Sequence, residues 1–412
     1  MNYCFFSASV IWRRFVEGNF ITNRNQPNLY PRVPEILKTR LIMKNYCKIS
    51  LLILSACLLF RAPIAAQSLP QADIDLIERL ITEKMAKDEI PGLSIAIVKD
   101  GKLAWANGYG FADLENFVPA KTSTVYRTAS IGKSITATAI MQLVEGGQLD
   151  LNAPIQQYCP AFPAKQWPIT TRQLLNHTSG IRHYGGPDGD RELVSKVHYE
   201  DVVTPLQIFK EDSLLFEPGS RYQYSTYGYN VLGCVLEGAS GQTFATYLQE
   251  HLFRPAGMSA TQVDDPYRIV KNRARGYQKA ADGALLNSEY VDMSNKVPAG
   301  GFITTVSDLA HFAIAFMDAQ LVSADTRELM LTPQKTSSGE TIAYGYGWGL
   351  FPDEKWYGQR EAFHGGGTPQ VSGVLYLLPD VQFGVVILMN LEGVNERVSL
   401  AAKIAKEVLD LE

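Results

Sequence analysis

The sequence predicts an α+β fold in which helices at the two ends of the chain pack on one antiparallel sheet. Three observations predict it: strand patterns lie near residue 100, further strand patterns lie near residue 380, and residues 126–317 have the pattern of helices and loops. Strands from both ends would share the sheet, and the mostly helical region would be inserted between its halves. A cleft is expected where the two parts meet.

The first folded elements are predicted to be a helix and a hairpin. Apolar residues recur at helical spacing over residues 73–87, and Pro91 and Gly92 end that stretch. Strand patterns cover residues 93–98 and 103–109, and the turn between them contains an Asp-Gly pair that tolerates positive φ angles.

The middle and the end of the chain complete the pattern. Helical stretches are predicted over residues 135–144 and 229–236, each followed by glycine. Strand signals return over residues 373–378 and 383–389, and apolar residues at helical spacing from Val398 to Val408 predict a closing helix.

The first 66 residues are expected to lie outside this fold. Met43 opens a basic segment, an apolar run covers residues 49–60, and small residues end at Ala66, which is typical of a secretory signal peptide. Residues 1–42 would then be an over-extended N-terminus, residues 43–66 the signal peptide and residues 67–412 the folded domain. This predicts an exported protein, periplasmic or extracellular.

Two alternatives for this end remain open. Residues 54–57 resemble a bacterial lipobox, which would make Cys57 a lipid anchor. Residues 1–42 are rich in arginine and poor in acids, as mitochondrial transit peptides are. No apolar run approaches the ~20 residues that span a bilayer, so no integral membrane span is expected.

Composition excludes several classes of protein. Hydrophobic residues make up 46% of the chain and charged residues 19%, with a net charge of −4, which excludes a disordered tail and a basic nucleic-acid binder. The first 66 residues carry nine Lys or Arg and two Glu, so residues 67–412 have a net charge of −11. Their two cysteines, Cys159 and Cys234, are interpreted as separate buried thiols, although the sequence leaves their pairing open. It also leaves the oligomeric state open.

Several catalytic signatures are missing from the sequence. It contains no Gly-x-Ser-x-Gly elbow, no His-Glu-x-x-His helix and no phosphate-binding glycine loop. Its six histidines lack metal-ligand spacing. No metal and no cofactor are therefore expected.

One Ser-x-x-Lys motif stands at the start of an apolar helix. Ser130 and Lys133 are one helical turn apart, so their side chains should share a face. Serine is a poor nucleophile until a base takes its proton, and a lysine with a lowered pKa can be that base. The pair alone is weak, since about one such match is expected by chance in a chain of this composition.

The surrounding residues resemble the serine β-lactamase and penicillin-binding protein superfamily, in its class C and esterase-like branch. The likeness covers roughly residues 70–412 and rests on four landmarks in order: YRTASIGKS (126–134) with LVEGGQLDL (143–151), LLNHTSGI (174–181), Tyr224-Ser225-Thr226, and HGGG (364–367). A narrower likeness, to mitochondrial serine β-lactamase-like proteins and their bacterial relatives, rests on GIRHY (180–184), NRAR (272–275), YVD (290–292) and AGGF (299–302).

The resemblance implies a β-lactamase/transpeptidase-like fold and a role for each matching residue. Ser130 would be the nucleophile, Lys133 the general base and Tyr224 an acid/base near both. Backbone N–H groups of Ser130 and Gly367 would hold the oxyanion. Substrate-binding positions would be the following: Thr226, His364, Gly365, Gly366 and His183.

Two departures from the family pattern weaken the expectation of β-lactam hydrolysis. Thr226 replaces an Asn of the Tyr-x-Asn motif, and His364 replaces the Lys of the Lys-Thr-Gly triplet, exchanging a permanent cation for a group that normally titrates near pH 6.5. Arg182 or His183 could supply the missing charge, and Arg182, His183 and His198 are expected along the cleft. His177 is interpreted as a structural turn residue.

The sequence therefore predicts an exported serine hydrolase that acts through an acyl-enzyme on a small peptide-like amide or ester, as a peptidase, D-amino-acid carboxypeptidase or esterase. β-Lactamase activity is expected to be weak or absent. The alternative is a slow-deacylating penicillin-binding or sensor protein, and a non-catalytic scaffold comes third.

Overall fold

Strands from the two ends of the chain and helices from its middle build the fold. The computed structural model describes residues 69–185, 189–351 and 358–411. The α-helices in these ranges are α1 (Gln71–Asp88), α2 (Gly132–Glu145), α3 (Thr171–Leu175), α4 (Thr226–Ser240), α5 (Phe244–Leu248), α6 (Val297–Gly300), α7 (Val306–Met317), α8 (Ala324–Met330) and α9 (Arg397–Val408). The predicted over-extended N-terminus, signal peptide and Cys57 anchor lie outside the described residues.

The strands lie at both ends of the described chain and as short pairs between the helices. They are β1 (Gly92–Lys99), β2 (Lys102–Asp113), β3 (Val118–Pro119), β4 (Tyr126–Arg127), β5 (Gln262–Val263), β6 (Tyr277–Lys279), β7 (Leu285–Asn287), β8 (Phe302–Thr304), β9 (Gln334–Lys335), β10 (Thr341–Ile342), β11 (Gly349–Leu350), β12 (Ala362–Thr368), β13 (Val371–Leu378) and β14 (Phe383–Met389).

The main sheet joins the two ends of the chain, as the sequence predicts. Its order is β11-β12-β13-β14-β1-β2-β3, and the neighbouring strands are antiparallel. The first strand and the last strand pair directly, with Leu93 opposite Met389 and Ile95 opposite Ile387. The sheet is therefore complete only when strands from both ends of the folded chain are paired.

Helices cover both faces of this sheet. Ile95 and Ile97 pack on one face with the terminal helices α1 and α9, and Ala96 and Val98 pack on the other face in the cluster that contains α2 and α7. Because both faces are covered, β1 is almost entirely apolar instead of alternating. The two terminal helices predicted from periodicity form one of these layers.

The inserted region lies between β3 and β11 and reaches further than predicted. It runs to residue 348 rather than 317, since α8 and the short pair β9–β10 follow α7 before the sheet resumes. These strands have two residues each, too few to produce a periodic pattern.

Cys159 and Cys234 form a disulfide, so their interpretation as separate thiols is wrong. Cys234 lies on α4, and Cys159 follows a short 3-10 turn of the chain that packs against that helix. The segment around Cys159 lies close against the helix, because a Cβ on Gly238 would lie 1.7 Å from the backbone oxygen of Tyr158. This contact joins segments 75 residues apart, which local sequence patterns do not reveal.

None of the helices described here is long and apolar enough to cross a membrane.

Candidate active site

Ser130 lies in a short 3-10 turn, Ala129–Ile131, directly before α2. The turn follows β4, which pairs with β8, and the Thr128 amide donates to the oxygen of Phe302 over 2.9 Å. Ala129 has φ +46°, a left-handed conformation that costs a non-glycine residue energy. The absence of a side chain on Gly300 makes room for it, because a Cβ there would lie 2.1 Å from the Ala129 oxygen. Packing thus holds Ser130 in a constrained backbone.

Lys133 is fully buried one turn further along, on the same face. Its Nζ donates to the Oγ of Ser130 over 3.1 Å and to the backbone oxygen of Ala299 over 3.1 Å. The Nζ also donates to the Oγ1 of Thr226 over 3.4 Å. The amine is therefore held toward the serine by two further partners, Thr226 and Ala299.

Burial, and to a smaller extent the positive charge of Lys296, lowers the pKa of Lys133 to about 7. A substantial fraction of the amine is then neutral at physiological pH. Only the neutral amine can accept the proton of Ser130, so the site meets the electrostatic requirement for a lysine base.

Tyr224 reaches the same serine from the loop before α4. Its hydroxyl hydrogen-bonds Ser130, and the Nζ of Lys133 lies 4.9 Å from its ring centroid. Burial raises the pKa of Tyr224 well above its ordinary value, and the Ser130 hydrogen bond opposes this only in part. The phenol is therefore protonated near neutral pH, which suits a proton donor better than a base.

The glycine run of the HGGG landmark lies inside a strand. Gly365, Gly366 and Gly367 belong to β12, which pairs with β13 along its length. A Cβ on Gly366 would lie 2.4 Å from the backbone oxygen of Thr128, so β12 lies directly against the segment before Ser130. Gly365 and Gly367 line the cavity at Ser130, whereas Gly366 lies against this segment instead.

His364 lines the cavity as a neutral group. Its Nδ1 donates to the oxygen of Gly365 over 2.8 Å, and its Nε2 accepts from the hydroxyl of Tyr344 over 2.9 Å. Burial lowers the pKa of His364 to about 3, and nearby Lys133 adds to the effect. The expected titration near pH 6.5 does not apply at this position.

Thr226 and His183 also line the cavity. The Thr226 amide donates to the Nδ1 of His183 over 3.1 Å, and burial followed by the charge of Lys133 lowers the pKa of His183 to about 4. His183 is therefore also neutral near pH 7 and does not replace the cation that the family carries at position 364.

Two residues expected along the cleft lie elsewhere. Arg182 donates to both carboxylate oxygens of Glu192, at 2.7 and 2.8 Å, and also to Asp212, so its charge is already neutralised. His198 pairs with Asp292 over 2.9 Å and lines a different cavity. Neither lines the cavity at Ser130.

His177 supports Tyr224 from behind, in line with the structural interpretation. Its Nδ1 accepts from the Ser225 amide over 3.1 Å, and its ring centroid lies 4.3 Å from that of Tyr224.

The cavity measures about 410 Å³ and includes residues that sequence reasoning missed. Lys296 and Arg397 bring cations to it, and Ala299 supplies the backbone oxygen that orients Lys133. Lysines and arginines are usually solvated, so no local pattern marks these two; only the AGGF landmark at 299–302 lies near Lys296. Among the residues that the structure describes, no group of His, Cys, Asp or Glu could hold a metal ion.

Comparisons with known proteins match most of the described chain. The family model described as Beta-lactamase matches residues 77–410. The serine beta-lactamase-like protein LACTB, mitochondrial, of Mus musculus is 32% identical, over 77% of this chain and 75% of the relative.

Solved structures share the fold of this chain. The octameric penicillin-binding protein homologue from Pyrococcus abyssi superposes with a TM-score of 0.69 at 29% identity, over 82% of this chain and 78% of that chain. The D-amino acid amidase from Ochrobactrum anthropi SV3 superposes with a TM-score of 0.68 at 23% identity, over 82% and 98% of the two chains, and shares the fold.

Proposed function

The chain belongs to the beta-lactamase family, and we propose that it is an exported serine hydrolase that cleaves an amide or ester bond of a peptide-like substrate through an acyl-enzyme. The observation that carries this proposal is the buried Lys133 amine, 3.1 Å from the Ser130 hydroxyl. A neutral lysine beside a serine in a constrained turn is the arrangement that nucleophilic catalysis requires.

The first half-reaction forms the acyl-enzyme. The Oγ of Ser130 bonds to the substrate carbonyl carbon while its proton passes to the neutral Nζ of Lys133. The backbone N–H groups of Ser130 and Gly367, both at the cavity, would stabilise the oxyanion. As the tetrahedral intermediate collapses, the bond to the leaving group breaks and the protonated phenol of Tyr224 gives its proton to that group. Protonated Lys133 then returns a proton to the Tyr224 phenolate, so that both groups regain their starting protonation states.

The second half-reaction is hydrolysis of the serine ester. A water molecule attacks the acyl carbon, its proton passes to the Lys133–Tyr224 pair, and the Ser130 oxygen leaves and is reprotonated. The product acid departs and the starting protonation states return.

The shape of the cavity supports a peptide-like substrate. Its volume of about 410 Å³ suits a small molecule, and one wall is the glycine-rich strand β12. A strand without side chains allows an extended substrate to approach the backbone closely. The names of structural relatives, a penicillin-binding protein homologue and a D-amino acid amidase, agree with an amide substrate.

The disulfide supports export. Structural disulfides persist in oxidising compartments and are rare in the cytosol. The Cys159–Cys234 bridge, buried within the helical region, therefore agrees with the signal peptide expected at residues 43–66.

Covalent labelling tests this proposal. The purified protein is exposed to a fluorophosphonate and separately to a penicillin, and intact mass is measured beside Ser130→Ala and, as a matched control, the exposed Ser123→Ala. One fluorophosphonate adduct that is absent only in Ser130→Ala is expected. A persistent penicillin adduct without turnover would favour the slow-deacylating binder, and no adduct in folded protein would contradict the hydrolase.

A further inference from the structure

Lys296 brings a second buried lysine to the cavity of Ser130. It ends the short 3-10 turn Ser294–Lys296, directly before α6, and only 3% of its surface is exposed. The same cavity is lined by Ser130, Lys133 and Lys296. Lys296 takes no direct part in the proposed bond cleavage.

The surroundings of Lys296 lack a counter-ion. Its Nζ donates to the backbone oxygen of Leu193 and lies 5.1 Å from the ring centroid of Tyr184. Among the described residues, no carboxylate lies within 4.0 Å of it. The buried Arg127 differs, because it contacts Asp264 at 2.8 Å.

A buried cation without a partner carries a cost that a ligand can offset. Burial, and then the charge of Arg127, lowers the pKa of Lys296 to about 7, although Asp292 opposes the shift. An anion that enters the cavity would stabilise the charged amine and form a charge-assisted hydrogen bond with it.

Only a lysine or an arginine of this cavity can supply the positive charge that binds an anion near pH 7. His364 and His183 are neutral near pH 7, because burial lowers the pKa of each, to about 3 and about 4. Arg397 lies beside β12 and donates to the oxygen of Gly366 over 2.8 Å. Lys296 lies with Tyr184 and Leu193. Among the described residues its amine donates one hydrogen bond, to the backbone oxygen of Leu193, and a ligand carboxylate could replace that acceptor.

We propose that Lys296 binds a carboxylate of the substrate, so that this hydrolase prefers peptide-like amides or esters that carry a free carboxylate near the cleaved bond. This inference rests on the proposed hydrolase function and specifies its substrate class. Lys296 acts in specificity, whereas Ser130, Lys133 and Tyr224 perform the bond cleavage.

Matched ester pairs test the inference on the full protein. The first pair places the charge on the acyl side: mono-p-nitrophenyl glutarate against p-nitrophenyl valerate. The second pair places it on the leaving group: 4-carboxyphenyl acetate against 4-carbamoylphenyl acetate. The readout is the ratio of kcat/KM within each pair, because a change in the Lys133 base affects both members equally and cancels.

The wild type is expected to prefer the carboxylate member of at least one pair, and the pair shows on which side Lys296 lies. Lys296→Met should lower that preference roughly ten- to hundredfold, the range of one hydrogen bond to a charged group. Lys296→Arg should retain part of it. No preference in the wild type, an unchanged ratio in Lys296→Met, or a ratio lost only in Arg397→Gln would overturn the proposal.

Two controls separate this inference from the hydrolase function and from misfolding. Fluorophosphonate labelling of Ser130 is measured for every variant, so a protein that is neither labelled nor active contradicts the hydrolase itself. Should Lys296→Met fail to fold, competition on the wild type decides: glutarate should inhibit hydrolysis of p-nitrophenyl valerate at concentrations where glutaramide does not. Equal inhibition by the two compounds would overturn the carboxylate site.

Discussion

The Nζ of Lys133 lies 3.1 Å from the Oγ of Ser130, while the whole lysine side chain is shielded from solvent. These two facts are linked, because burial both orients the amine and lowers its pKa to about 7. This position and this pKa fit the proposed role of Lys133 as a base that is in place before any substrate arrives.

Lys133→Met should remove most of the hydrolytic activity while keeping the volume of the side chain. General-base catalysis typically contributes about 10²- to 10⁴-fold, so kcat/KM for a p-nitrophenyl ester is expected to fall by that order. The exposed Lys102→Met is the matched control and should retain wild-type activity. A Lys133→Met enzyme with a rate within a few-fold of the wild type would contradict the base assignment.

Tyr224→Phe should slow amide cleavage more than cleavage of an activated ester. The phenol is protonated because burial raises its pKa, and its proton matters most for a poor leaving group such as an amine. A p-nitrophenolate leaves without protonation, so its ester should lose less activity than the matching anilide. The phenylalanine ring keeps the packing on His177. Equal losses on both substrates would contradict the proton-donor role.

The activity should rise with pH through about 7. Only the neutral form of Lys133 accepts the serine proton, so kcat/KM increases as pH approaches the pKa of about 7 and levels off above it. Because Lys296 lowers the pKa of Lys133, Lys296→Met should move this limb to higher pH. Profiles of kcat/KM for a neutral ester measure both effects, and a limb that stays in place would show that the two lysines do not interact.

The fold and the closeness of Ser130 to Lys133 could be predicted because each has a local signal in the sequence. Ser130 and Lys133 are one helical turn apart, and the apolar run of β1 marks a strand without any tertiary knowledge. The ionisation of His364, the burial of Lys296 and the bond from Cys159 depend instead on segments far apart in the chain. No residue spacing encodes such contacts, so the ionisation states of the cavity residues cannot be predicted from the sequence alone.

Nitrocefin turnover should be slow or absent. A β-lactam carries its carboxylate on the leaving-group side, where the family has a permanent lysine and this protein has His364, a neutral ring whose two nitrogens both bond within the protein. Lys296 does not take that place, because it lies with Tyr184 and Leu193 and not on the strand of His364. Losing a hydrogen bond to a charged group costs roughly ten- to hundredfold in rate or binding. Steady-state hydrolysis is measured beside a class C β-lactamase, and a comparable turnover would refute this expectation.

Removing the disulfide should destabilise the protein without abolishing the chemistry. The bridge between Cys159 and Cys234 closes a loop with a sequence separation of 75, and the chain-entropy model gives about 4 kcal/mol of stability for a loop of this size. The double variant Cys159→Ala/Cys234→Ala should unfold at a lower denaturant concentration, yet Ser130 should still react with a fluorophosphonate below that midpoint. Reductant should lower the midpoint of the wild type and leave that of the variant unchanged. A wild-type midpoint that is insensitive to reductant after full unfolding and refolding would show that the bridge does not stabilise the helical region.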